Sequence, residues 1–133
     1  METIAKEIMS TEVLTATREM TLEDAAKLLV NSRITGFPVV DSKGKMIGVF
    51  SEYDLLAQVG TQRPLKPDVF QQKIKFSKET KAIQETMPLD QIIDLFIKSK
   101  FRRLPVVNKT GRLVGIITRR DLMRLFYYRA KLA

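Results

Sequence analysis

A 48-residue segment occurs twice in this chain. Residues 9–56 and 76–123, offset by 67, align without a gap and are identical at 13 positions, where ordinary composition would give roughly three. Pro38 pairs with Pro105, Val39-Val40 with Val106-Val107, Gly44 with Gly111, Gly48 with Gly115, and Asp54-Leu55 with Asp121-Leu122. A duplication of this kind restricts the architecture first, because both halves must fold alike.

Each copy carries the same coarse plan. Thr21-Leu22-Glu23-Asp24 has the form of a helix-capping sequence, and Leu22, Ala25, Ala26 and Leu29 follow at amphipathic helical spacing. Leu89, Ile92, Ile93 and Phe96 repeat that stripe. Two short β-branched runs around a Gly-containing turn come next, FPVVD-SKGK-MIGVF in copy one and LPVVN-KTGR-LVGII in copy two, and each predicts a hairpin. Pro38 and Pro105 open their strands, where a missing N–H does little harm. A further helix follows, marked by Leu55 and Leu56 or by Leu122, Leu125 and Phe126. The expected fold is α+β, two βαββα-like repeats. A unit of about 50 residues buries too little surface to fold securely alone, so the copies are expected to pack together about a pseudo-twofold axis. The expected boundaries are 1–60 for repeat 1, 61–75 for a polar linker with Pro64 and Pro67, and 76–133 for repeat 2.

Composition narrows the chemistry. The 133 residues contain no Cys and no His, which removes disulfides, thiol catalysis, His acid–base chemistry and the usual zinc ligands. Carboxylates that pair do so only across the duplication, so an enzyme is not expected. No apolar run is long enough to cross a membrane, and the N-terminus lacks a secretory pattern; a cytoplasmic protein is the expectation. Net charge is +8, all of it from the second half: residues 67–133 hold 15 basic and 6 acidic side chains, against 8 and 9 in residues 1–66. Such a bias suits nucleic acid, a membrane surface or an anionic small molecule.

The order helix, hP-V-V-D/N, Gly turn, G-h-h-[ST]-x-x-D, helix resembles the CBS domain, and two in tandem resemble a Bateman module, here of the stand-alone kind. The resemblance spans about Ile4 to Leu125. It implies a non-catalytic sensor that binds an adenosine-containing ligand in clefts between the repeats. AMP, ADP or ATP come first, with S-adenosylmethionine or NAD as further candidates. It also implies a homodimer and an unidentified regulated protein. Nucleic-acid binding through the basic second half is the alternative, but no helix-turn-helix, RNA-binding sheet signature or zinc knuckle accompanies it.

Two readings of Ser51-x-x-Asp54 and Thr118-x-x-Asp121 stand together. Both are good helix N-caps. A helix N-terminus also favours anions, and the resemblance assigns Asp54 and Asp121 to a ribose diol, with Ser51 and Thr118 reaching a phosphate or the sugar. The resemblance also brings the residues before each hP strand to the ligand: Thr35, Gly36, Phe37 and Pro38 in copy one, Arg102, Arg103, Leu104 and Pro105 in copy two. The two arginines suit phosphate oxygens bidentately. The first strand of each copy, with Thr15 and Ile83, is expected in the adenine wall. Ala82 at the position equivalent to Thr15 offers no side-chain hydrogen bond, and Lys75-Phe76 replaces Ile8-Met9. The two sites are therefore expected to differ. Phe126, Tyr127 and Tyr128, among Arg124, Arg129 and Lys131, are expected to be core or dimer contacts before base-stacking platforms.

Overall fold

The computed structural model describes residues 2–99 and 101–132. Its elements in chain order are α1 (Ala5–Ile8), α2 (Leu22–Ser32), β1 (Gly36–Val40), β2 (Met46–Ser51), α3 (Glu52–Gly60), a 3₁₀ turn (Val69–Gln71), β3 (Ile83–Gln84), α4 (Leu89–Ser99), β4 (Arg103–Val107), β5 (Leu113–Thr118) and α5 (Arg119–Leu132). Helices and hairpins thus recur in the same order in the two copies, as their shared pattern requires.

The capping sequence at α2 works as its residues dictate: Asp24 N–H donates to Thr21 Oγ1 at 3.2 Å. The hairpin turns are equally local. Gly44 and Gly111 take φ of 81° and 84°, a region that favours glycine. Asp41 Oδ1 accepts from the Lys43 and Lys45 N–H groups, each at 2.9 Å. In the second turn Asn108 Oδ1 does the same for Thr110 and Arg112, at 3.1 and 3.0 Å. β1 pairs antiparallel with β2, and β4 with β5, in equivalent registers: Gly36 faces Ser51 and Arg103 faces Thr118. The first strand of each copy differs. Copy two forms β3, parallel to β4, whereas in copy one only Ala16 bridges Val39.

The compact units do not coincide with the repeats as they run along the chain. One unit contains residues 14–80; the other contains 1–13 and 81–133. The expected boundaries 1–60, 61–75 and 76–133 follow the sequence copies, but each copy's lead-in segment packs with the other copy. Ser10 and Ile116 exchange two backbone hydrogen bonds of 2.9 Å, and Ser77 and Val49 exchange a matching pair of 3.0 and 2.9 Å. The polar-looking linker contributes Val69 and Ile74 to a core with Leu22, Ala25, Leu29, Phe37, Val39 and Phe50. The other unit closes over Ala5, Ile83, Ile92, Phe96, Leu104, Val106, Ile117 and Leu122. Backbone pairing explains the exchange: the second strand of each hairpin has a free edge, and the lead-in from the other copy pairs with it.

Gly48 and Gly115 mark where those lead-ins cross. A Cβ on Gly48 would sit 2.1 Å from Ser77 O and 2.6 Å from Phe76 Cδ2. On Gly115 it would meet Met9 Sδ at 2.4 Å and Ser10 O at 2.9 Å. A glycine inside a strand here serves close backbone approach.

Candidate functional site

The two Ser/Thr-x-x-Asp corners sit where a hairpin's second strand passes into a helix. Ser51 N–H donates to Asp54 Oδ2 at 2.8 Å while Asp54 N–H donates to Ser51 Oγ at 3.2 Å. The second corner repeats it: Thr118 N–H to Asp121 Oδ2 at 2.8 Å, and Asp121 N–H to Thr118 Oγ1 at 3.1 Å. Each is a reciprocal capping box. The cap uses only one carboxylate oxygen. Oδ1 of each Asp accepts no hydrogen bond among the described residues, and both carboxylates stay half-buried. A cap of this form leaves an anionic acceptor for a ligand.

Each Asp lines a cleft. Asp54 shares one of about 390 Å³ with Gln58 and Gln62 of α3 and with Lys75, Phe76 and Ser77 of the crossing lead-in. Asp121 shares one of about 440 Å³ with Arg124, Tyr128 and Arg129 of α5 and with Glu7 and Ile8. Both volumes fall in the range of small-molecule sites. The clefts occupy equivalent positions but differ in chemistry. Lys75 stands where the other has Ile8, Gln58 where it has Leu125, and Gln62 where it has Arg129. Gln58 is buried: its Nε2 donates to Lys73 O and its Oε1 accepts from Lys75 N–H, both at 2.9 Å. It therefore fixes the lead-in that forms one wall of its cleft.

A third cleft, of about 360 Å³, is lined by Arg102, Arg103, Thr118, Arg119, Arg120 and Met123. Backbone bonding assembles it. Arg103 faces Thr118 across the hairpin, and Arg119 N–H donates to Arg102 O at 3.1 Å. The equivalent bond in the other unit runs from Glu52 N–H to Thr35 O at 2.9 Å. Burial, and then the neighbouring charge of Arg102, push the Arg103 guanidinium below its ordinary pKa.

The sequence-expected residues thus divide. Arg102, Arg103 and Thr118 share one cleft, and Asp54 and Asp121 each line another. Thr35, Gly36 and Ser51 gather at the corner equivalent to the arginine cleft. Phe37, Leu104 and Ile83 bury their side chains in the cores at 1%, 3% and 4% exposure; they support the hairpins and line none of the clefts described. Pro38 and Pro105 are buried within their strands. Thr15, half-buried beside the Ala16 bridge, also lines none of the three. Lys75 to Ser77 and Glu7 and Ile8 join the clefts through the exchange of lead-ins, whose only signal in the sequence was the glycine within each second hairpin strand.

Comparisons with known proteins agree with this architecture. The CBS domain model matches residues 5–60 and again 74–128. The chloroplastic CBS domain-containing protein CBSX1 of Arabidopsis thaliana is 35% identical over 129 residues, covering 78% of this chain and 55% of its own length; the chain spans about half the length of this curated relative. Among solved structures, CBSX2 in complex with AMP superposes with a TM-score of 0.79 at 29% identity, covering 96% of this chain and 98% of that one. A CBS-domain pair in complex with 5′-methylthioadenosine and S-adenosyl-L-methionine gives 0.73 at 26%, with 97% and 99% covered.

Proposed function

The chain belongs to the CBS-domain family as a tandem pair, and from that premise we propose that it is a non-catalytic regulatory module that binds an adenosine-containing ligand, an adenine nucleotide in the first place. The observation that carries the proposal is the pair of carboxylates, Asp54 and Asp121, each with one oxygen spent on a helix cap and the other available in a cleft sized for a small molecule. A free carboxylate oxygen accepts from a ribose hydroxyl. The complexes of relatives with AMP, 5′-methylthioadenosine and S-adenosyl-L-methionine support an adenosyl ligand of this class. Arg102 and Arg103 supply charge-assisted hydrogen bonds to phosphate. The signal is a population shift: a ligand that binds one conformation better than another moves the equilibrium by that difference alone.

A homodimer is part of the proposal. Exposed apolar residues recur at equivalent helix positions, Val30 on α2 with Ile97 on α4, and Leu56 on α3 with Met123 on α5, all between 65% and 75% exposed. Recurrence on every long helix supports a shared use of these faces. Light scattering at micromolar concentration should give twice the chain mass; a monomer mass removes the dimer.

The ligand reading is tested by Asp54→Asn and Asp121→Asn with calorimetry against AMP, ADP, ATP, NAD and S-adenosylmethionine. Asn Oδ1 can still accept from the Ser51 or Thr118 N–H, as the Asp carboxylate does in each capping box, so stability should change by less than about 1 kcal/mol. Loss of an anionic acceptor should cost about 1.5–3 kcal/mol of binding, on the order of 10- to 150-fold, more at Asp121, whose Thr118 partner also lines the arginine cleft. Loss of stability with unchanged affinity would reduce the repeated motif to a helix cap alone.

A further inference from the structure

The arginine cleft is stronger than one phosphate requires, and it exists in only one unit. Its six lining residues include four arginines. The positions equivalent to them are Thr35, Gly36, Ser51, Glu52, Tyr53 and Leu56, with no base and one acid. Elsewhere the first helical turn follows the usual electrostatic rule: α2 carries Glu23 and Asp24 there, and α3 carries Glu52 and Asp54. α5 also has an acid in its first turn, Asp121, but its first two positions are Arg119 and Arg120, cations at the positive end of the helix dipole, an unfavourable placement. Among the described residues no carboxylate lies within ion-pair distance of Arg102, Arg119 or Arg120. The nearest acid in the chain, Asp121, directs Oδ2 back to Thr118 N–H. Repulsion among clustered guanidiniums adds to the cost. Local rules broken together at one cleft point to a ligand that restores the balance.

We propose that this cleft selects a polyphosphate, so that the ligand of the unit formed by residues 1–13 and 81–133 is a nucleoside di- or triphosphate, with Arg119 and Arg120 as the residues that distinguish it from a monophosphate. The inference rests on the adenosyl-ligand reading above. Arg102 and Arg103 suffice for one phosphate group, since each guanidinium fork takes two oxygens. Arg119 and Arg120 add two forks on the same cleft, held beside Arg102 by the Arg119–Arg102 backbone bond. The other unit, which lacks all four, has no means to favour a second phosphate at its equivalent corner.

Calorimetry of the full chain with ATP, AMP and inorganic tripolyphosphate tests this, repeated on Arg119→Ala/Arg120→Ala. ATP should bind at least about tenfold more tightly than AMP, the gap should narrow as salt rises, and tripolyphosphate should compete with ATP. In the double variant the ATP-to-AMP ratio should fall to within about threefold. Its ligand-free thermal midpoint should hold or rise, because two unfavourably placed charges are gone. Equal affinities of ATP and AMP for the unmodified chain would overturn the inference while leaving the adenosyl reading intact. A preference for ATP that survives in the double variant would overturn the role of these arginines. Binding of tripolyphosphate, lost in the double variant, with no adenine nucleotide bound at all would overturn the adenosyl reading and keep the cleft as a polyphosphate site.

Discussion

Gly48→Ala should damage this fold more than the equivalent addition at Gly115, and the size of the effect follows from the geometry. The new Cβ would lie 2.1 Å from Ser77 O, a backbone atom, and within 3 Å of two Phe76 ring carbons. Ordinary contact begins at 3.4 Å, so the lead-in must move away from β2. That movement stretches the two Val49–Ser77 backbone hydrogen bonds, now 2.9 and 3.0 Å, past useful length. Two such bonds contribute about 0.5–1.5 kcal/mol each, and the forced repacking around Phe76 costs about 1–3 kcal/mol more. The expected loss is therefore about 2–6 kcal/mol, a large share of the roughly 5–15 kcal/mol that holds a domain folded. Gly115→Ala provides the control. Its severest overlaps are with Met9 Sδ and Cγ, at 2.4 and 2.7 Å, which a flexible side chain can relieve, and its backbone contact with Ser10 O is milder at 2.9 Å. It should cost about 1–3 kcal/mol, and Met9→Ala should show favourable coupling with it in a double-mutant cycle. Urea denaturation of the parent, Gly48→Ala, Gly115→Ala, Met9→Ala and the Met9→Ala/Gly115→Ala double variant measures all of this through midpoint and slope. Gly48→Ala within about 0.5 kcal/mol of the parent, or Gly115→Ala the worse of the two, would refute the crossing of lead-ins as the reason for these glycines.

Two further outcomes follow from single residues. Gln58→Leu, which copies the Leu125 found at the equivalent position, removes the side-chain partners of Lys73 O and Lys75 N–H; it should destabilise by about 1–3 kcal/mol per group left unpaired and weaken ligand binding at the Asp54 cleft, and a neutral urea midpoint would contradict it. Asp41→Asn tests pH linkage: the hydrogen bond from Lys45 N–H, joined by a weaker contribution from Lys43 N–H, holds the Asp41 carboxyl below its ordinary pKa against the opposing effect of burial. Its folded pKa is depressed, so its stabilisation is present above the unfolded value and is lost as pH falls through the folded one. Asn, which already fills the role at position 108, should match Asp at neutral pH and flatten this part of the acid limb; an unchanged urea-midpoint profile below pH ~4 would refute the linkage.

Much of the architecture was legible because the physics that encodes it is local. The Leu22-Ala25-Leu29 and Ile92-Phe96 stripes, the Gly44 and Gly111 turns and the two capping boxes each depend on residues within a few positions of one another. The exchange of lead-ins was not legible by that route. Periodicity reveals which face of a segment is apolar, not which copy it packs against, and in a duplicated chain either hairpin offers Ser10 or Ser77 an equivalent edge. Gly48 and Gly115 carried the only trace, as glycines inside strands that something must approach closely. Gln58 was hidden for a related reason: a Gln on a short helix gives no sign that both ends of its amide are bonded 15 and 17 residues away.

The duplication that makes the fold legible also masks part of the site. The two copies share the corner residues, Ser51 with Thr118 and Asp54 with Asp121, and differ at the two residues between. Those positions hold Glu52-Tyr53 in one copy and Arg119-Arg120 in the other. Shared residues form the corner: cap, carboxylate and turn, which any copy needs in order to fold. Residues that differ are free of that duty and can specialise. In a duplicated module, ligand selectivity is therefore best sought where equivalent positions differ most in charge, and by that measure the reversal from Glu52 to Arg119, beside Thr35 against Arg102, is the steepest at any point on the two corners.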